Sequence, residues 1–302
     1  MTTGVLLMAY GTPRTRAEVE PYYTDIRRGR PPTPELLADL VRRYDAIGGI
    51  SPLAERTEAQ RDVLQRALDE RAPGEFTVAL GLKHAAPKIE ETAARLVADG
   101  VDRIVALVLA PHYSRPSIGE YLGRTRAAAD GTEVLGIESW HVEPAYLDFL
   151  ADAVRDRSAD LPEKTKVLFT AHSIPLRFVD EGDPYPTQLR ETATAVAERV
   201  GLAEWSGWSI AWQSAGRTPE PWVGPDILQV IRDLASTGRS EGILVVPCGF
   251  VADHLEVLFD LDIEAAGVAA EVGLAFARTV VVNDDATVLG ALADRVVAAA
   301  RG

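Results

Sequence analysis

Residues 166–175 read KVLFTAHSIP, a continuous apolar run that ends abruptly in a histidine, a serine and a proline. Short apolar runs closed by a breaker suit strands buried on both faces, as in a parallel sheet. Residues 4–13, GVLLMAYGTP, carry the same pattern. In Leu7–Pro13 and in Phe169–Pro175 the order is apolar, any residue, alanine, aromatic, small, any residue, proline. A second pair, VLAPHYS (Val108–Ser114) and VVPCGFVADH (Val245–His254), leaves an apolar strand through a proline in both copies. The members of each pair lie about half a chain apart, which predicts two similar halves. If a pseudo-twofold relates them, Tyr10 and His172 occupy equivalent positions and face each other across a cleft.

Six further runs extend the pattern: FTVALGL, RIVALVLAP, EVLGIES, GWSIAWQS, GILVVP and RTVVVN. Amphipathic stretches lie between them, at Glu35–Ile47, Pro52–Glu70, Pro87–Ala98, Pro144–Arg157 and Pro184–Val200, and Ala286–Ala300 reads as a closing helix. Strands alternating with helices predict an α/β fold with parallel sheets flanked by helices. The expected division is 1–150, 151–275, and a last strand and C-terminal helix in 276–302 that pack back. Ligands of such sheets bind beyond the carboxyl ends of the strands, so the loops after them are the candidate site.

Composition excludes several classes. The 302 residues carry a net charge of −14, with no basic surplus to displace phosphate counterions from nucleic acid. No apolar run approaches a membrane span, and the N-terminus reads as a first strand rather than a signal peptide, so a cytoplasmic protein is expected. The single cysteine, Cys248, excludes intramolecular disulfides and cysteine-only metal sites. No G-x-G-x-x-G follows a strand and no P-loop pattern occurs, which removes the main support for a nucleotide.

His172 closes a buried-type strand beside Ser173. A lone histidine is often structural, but imidazole at a strand end can accept a proton or ligate a divalent metal. CGFVADHLEVLFDLD (248–262) supplies acids: on a continuous helix Asp253, Glu256, Asp260 and Glu264 would share one face. By itself that face reads as the solvated side of a surface helix. Glu256 could give His172 a hard oxygen partner, a pairing suited to passing a metal along rather than caging it. YYTDIRRGRPP (22–32) gathers Arg27, Arg28 and Arg30, with Arg42, Arg43 and Tyr44 following, as a mobile basic loop or a carboxylate-binding rim. GGISPL (48–53) is a helix end followed by a new helix started by Ser51 and Pro52, or a ligand loop. His141 reads as structural; His84, His112 and His254 are possible supporting residues.

Taken together, MAYGTP, YYTDIRRGRPP, RRYDAIGGISPLAERT, GLKHAAP, LAPHYS, AHSIP, GDPYPTQL, WQSAGRTPEPWVGPD and GFVADHLEVLFDLD resemble the ferrochelatase family, in its soluble coproporphyrin branch from Gram-positive bacteria. The stretches span nearly the whole chain in order. The resemblance implies two Rossmann-like domains enclosing a porphyrin cleft. It implies His172 and Glu256 as catalytic and transient iron-binding residues, with Tyr10 on the opposite porphyrin face. It further implies porphyrin contacts from Arg27, Arg43, Tyr44, Ser51 and Tyr121, joined by Arg28 from the basic loop, and an iron approach along Asp260 and Glu264. The implied activity is insertion of Fe²⁺ into coproporphyrin III, a lyase reaction, by a monomer that meets haem-pathway enzymes only transiently. Fe²⁺ is then a substrate. No tightly bound cofactor is expected and no iron–sulfur cluster, since relatives with one use four cysteines. The alternatives are a protoporphyrin or sirohydrochlorin chelatase, the latter presenting two histidines to its metal, and a non-catalytic porphyrin carrier.

Overall fold

The computed structural model describes residues 2–203, 206–216 and 218–302; Arg217, within one of the quoted stretches, lies outside them. Among the described residues eight strands form: β1 (Thr3–Ala9), β2 (Phe76–Leu82), β3 (Arg103–Val108), β4 (Glu133–Ile137), β5 (Thr165–His172), β6 (Trp208–Gln213), β7 (Gly242–Val246) and β8 (Ala275–Arg278). They make two four-stranded sheets, ordered β2-β1-β3-β4 and β6-β5-β7-β8, and every pairing is parallel. The two orders are identical when four is added to each strand number, so the repeat seen in the sequence is a repeat of topology. Nearly every residue of β1, β2, β3 and β7 is buried, as expected for strands covered on both faces.

In each sheet the chain leaves the first strand to one side, then returns to pair on its other side. The crevice of a parallel sheet opens where strand order reverses in this way. Tyr10 follows the last residue of β1, and His172 is the last residue of β5, so both stand at those reversal points.

One hydrophobic cluster joins the two sheets: Val5, Leu7, Val105 and Leu107 of the first share it with Val167, Phe169, Leu244 and Val246 of the second. Helix Ala286–Arg301 returns across the first half, packing against helix Leu53–Arg71, helix Pro144–Ser158, β3 and β4. A smaller cluster bridges the halves near the candidate site, where Val19 and Tyr44 meet Leu255 and Phe259.

The last strand departs from expectation. Arg278–Asn283 was the predicted strand, whereas β8 pairs Ala275–Arg278 with Gly242–Val245. Val281 and Val282 are still buried, Val282 packing into the shared core beyond the sheet, whereas Val280 is exposed. Burial without pairing gives the same apolar run as a strand, and periodicity cannot separate the two.

Two glycines bring backbone close to the site. Gly11 has φ +85°, and a Cβ there would lie 2.8 Å from the Ala85 Cβ. At Gly249 a Cβ would fall 2.4 Å from the Cβ of Ala171, the residue before His172. Only glycine lets the loop after β7 approach the end of β5 so closely.

Candidate active site

The end of β5 is fixed on every side. The Ser173 N–H donates to Gln213 O (2.8 Å) and its hydroxyl donates to Val223 O (2.7 Å), holding the loop after β6 over the strand end. Trp222, from that loop, lies with its ring 6.3 Å from His172. Gln213 is the register partner of His172, and its side-chain amide donates to Glu256 O at 3.0 Å. The strand neighbour of the histidine therefore also places the glutamate.

His172 Nδ1 lies 2.5 Å from Ser173 O. A carbonyl only accepts, so Nδ1 carries the hydrogen and neutral His172 keeps its lone pair on Nε2. That nitrogen faces Glu256 Oε1 at 3.6 Å. His254 repeats the arrangement: Nδ1 donates to Ala252 O (2.9 Å), and Nε2 faces Glu256 Oε2 at 3.7 Å. One carboxylate thus looks at two imidazole lone pairs. Such a set suits the capture of a shared cation, either a proton on imidazole or a metal ion. Desolvation opposes ionisation of Glu256, but the charges of His172, His254 and Arg43 outweigh it and hold the carboxyl at about 2. Among the described residues no group of three or more His, Cys, Asp or Glu side chains is arranged to hold a metal ion.

The acids of residues 253–264 do not share one continuous helix. Asp253 precedes the helical turn Leu255–Leu258, its carboxylate accepting from Asn283 and lying 3.4 Å from Arg278. Asp260–Ala265 then widens into a π-helix, in which Glu264 N–H reaches back five residues to Phe259 O. Glu256, Asp260 and Glu264 nonetheless remain neighbours, with Glu264 exposed and Asp260 buried. Burial first, then the charge of Glu256, pushes Asp260 up to about 6, although Arg43 and Ser214 both favour its anion. A carboxyl raised in the folded state contributes stability that is complete below its ordinary value of 3.8 and is lost as pH rises through about 6. Asp260→Asn should flatten the stability–pH curve between pH 4 and pH 6 by about 2–3 kcal/mol, measured by urea unfolding across that range. An unchanged slope would show that another group titrates there.

The remaining predicted residues divide into two sets. Tyr10 is 44% exposed, and desolvation of its phenol by the surrounding protein, then the Glu256 and Glu120 charges, push it above the usual range. Its ring packs on His84 (4.6 Å), whose Nδ1 is 2.7 Å from Asp25. Arg27 and Arg30 bond each other's carbonyls, and Arg28 is exposed with φ +56°. Among the described residues none of these three arginines has an ion-pair partner. Tyr44, Ser51 and Tyr121 are instead buried. Tyr44 shares a hydrogen bond with Thr12, and Ser51 accepts from Leu53 N–H at the start of helix Leu53–Arg71. Arg43 bonds Asp260.

His254 is expected from sequence only as a possible supporting residue, and no motif marks Gln213 or Lys83. Lys83 is buried beside the site, bonded to Glu120 (2.9 Å) and Pro116 O (3.3 Å); burial lowers its pKa, and the Arg28 charge is among the causes. The signal for His254 was its two-residue spacing from Glu256. His112 and His141 lie apart from the acidic segment, bonded to Thr192 and Glu191. Cys248 is buried, and burial pushes its thiol up to about 12, which makes it inert as a nucleophile.

The architecture is that of chelatases. A SirB structure from Bacillus subtilis with Fe³⁺ superposes with a TM-score of 0.58 over 99% of this chain and 96% of that one, at 13% identity. CbiX, described as the terminal enzyme of sirohaem biosynthesis in denitrifying bacteria, gives 0.52 over 99% of both chains, also at 13% identity. At such identity the likeness concerns the fold alone. Sequence relatives are nearer. A protein named coproporphyrin III ferrochelatase in Halalkalibacterium halodurans is 47% identical over 91% of this chain and 90% of its own. Those of the same name in Geobacillus kaustophilus and Bacillus subtilis are 44% and 42% identical, over 97% and 96% of this chain and 94% and 95% of theirs. The ferrochelatase family model matches residues 2–300, and with that match over nearly its entire length the chain belongs to the ferrochelatase family.

Proposed function

We propose that this protein inserts Fe²⁺ into coproporphyrin III, forming iron coproporphyrin and releasing two protons, as a lyase of haem biosynthesis. The observation that carries the reading is the His172–Glu256 pair: an imidazole lone pair 3.6 Å from an ionised carboxylate, at the strand-order reversal. Family membership makes the protein a metal-inserting enzyme, and relatives 42–47% identical bear the coproporphyrin name.

The planar macrocycle shields its four nitrogens and carries two pyrrole N–H groups that must lose their protons. His172 Nε2 has the free lone pair to take a proton, and Glu256 beside it stabilises the imidazolium that forms. His254, held in the same tautomer, offers a second route for the proton away from the ring. Glu256, with Asp260 and Glu264 behind it, guides the cation inward, while Tyr10 approaches the ring from the other face. Binding of the propionates offsets the few kcal/mol, roughly, that bending the ring requires. Iron enters as substrate, and these steps require no resident cofactor. Among the described residues no helix is long and apolar enough to cross a membrane.

Arg27, Arg28 and Arg30 support the choice of porphyrin. Coproporphyrin III presents four carboxylates and protoporphyrin IX two, and a chain of net charge −14 repels both unless local cations reverse the field. Two fewer carboxylate–arginine pairs should weaken protoporphyrin binding by about 1–3 kcal/mol, or roughly 5- to 150-fold. A side-by-side assay of the two porphyrins measures this, and Arg27→Ala should narrow the gap. Equal KM and kcat for both would overturn the coproporphyrin assignment and leave iron insertion standing. The contrast with two-histidine chelatases is weakened by His254, so the choice between tetrapyrrole classes rests on the relatives and the arginines.

A further inference from the structure

Arg43 and Asp260 meet across the two halves, and their pairing bears on when a cation can use the acidic row. Arg43 belongs to helix Pro34–Ala46, while Asp260 opens the π-helix Asp260–Ala265. The guanidinium bonds Asp260 Oδ1 and lies over the Phe259 ring at 4.8 Å, and the Ser214 hydroxyl donates to Oδ2. The Asp260 side chain is only 8% exposed, so both oxygens are committed inside the protein. A divalent ion moving from Glu264 toward Glu256 therefore meets an acid whose charge is already cancelled, with a fixed positive charge beside it. Arg43 itself is less confined: its side chain is 23% exposed, and its charge acts on Glu256 and Tyr44, two residues of the site.

We infer that Arg43 is a positioning residue for the metal path, a counter-cation that neutralises Asp260 in the empty protein and releases it when a carboxylate-bearing ligand in the cleft takes the guanidinium. A porphyrin carboxylate competes for Arg43 directly, since guanidinium binds any carboxylate through the same paired N–H groups. The consequence is coupling: porphyrin binding tightens cation binding at the row, and by thermodynamic reciprocity the cation tightens porphyrin binding. The inference rests on the proposed iron-insertion reading for the identity of the ligand.

The test is Co²⁺ binding to the full chain, free of metal and porphyrin, by titration calorimetry. Arg43→Met should bind Co²⁺ roughly 10- to 100-fold more tightly than the unaltered protein, because it removes a cation from the row. Arg43→Lys should stay near the unaltered value. Palladium(II) coproporphyrin III, whose centre is already filled by an inert metal, should tighten Co²⁺ binding to the unaltered protein by a similar factor. It should add little to Arg43→Met, and Asp260→Asn should abolish both gains. The inference is overturned if Arg43→Met binds Co²⁺ no more tightly than the unaltered protein. It is also overturned if the palladium porphyrin leaves the affinity unchanged, or tightens Arg43→Met equally. Should Arg43→Met fail to fold, the palladium porphyrin titration of the unaltered protein decides alone. Iron insertion is assayed separately, so its absence would refute the enzymatic reading while the cobalt titrations still judge the coupling.

Discussion

His172→Ala should bind coproporphyrin III with near-normal affinity and lose roughly 10²- to 10⁴-fold in kcat, the usual contribution of a positioned general base. The histidine side chain is 38% exposed and lies outside the hydrophobic clusters, so removing it should leave stability almost unchanged. Porphyrin affinity should survive because the arginines of the basic loop are untouched. Fluorescence quenching gives the affinity and single-turnover iron insertion gives the chemical step. If kcat stays within a few-fold, His172 is a packing residue and the proton acceptor is elsewhere, with His254 the next candidate.

Glu256→Gln should be comparably severe, about 10²- to 10³-fold in turnover, because it deletes the charge that stabilises a protonated His172 and attracts the cation. Size is preserved, and so is the Gln213 bond, which is made to the backbone carbonyl of residue 256. The loss is therefore electrostatic rather than steric. It should appear both in kcat and in the KM for iron, with porphyrin affinity unaffected. The outer acids should matter less: Asp260→Asn with Glu264→Gln should raise the KM for iron with little change in kcat. Since Glu256 is held at about 2, its stabilising contribution is present above its ordinary value of 4.5 and is lost only as pH falls through about 2. The variant should accordingly be compared at neutral pH with its thermal midpoint measured alongside. A glutamine variant that inserts iron at the normal rate would mean the carboxylate has no part in the chemistry.

The strand-end patterns of Tyr10 and His172 were legible because buried parallel strands read as uninterrupted apolar runs, and the repeat tied the two positions together. Part of what escaped the sequence depends on contacts between the halves, and part on local departures from regular helix and sheet. Tyr44 packs against Leu255 and Phe259 from the other half, a contact that no local spacing announces. The Arg43–Asp260 bond joins residues 217 positions apart, and no local spacing announces it. The acidic segment was read at a uniform helical period, but His254 is extended and Asp260–Ala265 is widened, so the four-acid face does not form as drawn. His254, expected as a possible supporting residue, stands opposite the same carboxylate because its backbone is extended just before the helix. β8 begins three residues and ends five residues before the expected strand, since valines packed in a core and valines in a sheet look alike in sequence.

Catalysis of iron insertion can be read from free coproporphyrin III fluorescence after anaerobic addition of Fe²⁺ with porphyrin in large excess over protein. Fluorescence should fall continuously through many equivalents per protein, with iron coproporphyrin appearing at the same rate. A loss that stops at one equivalent, or that proceeds no faster than without protein, would contradict catalysis and leave a porphyrin-binding protein.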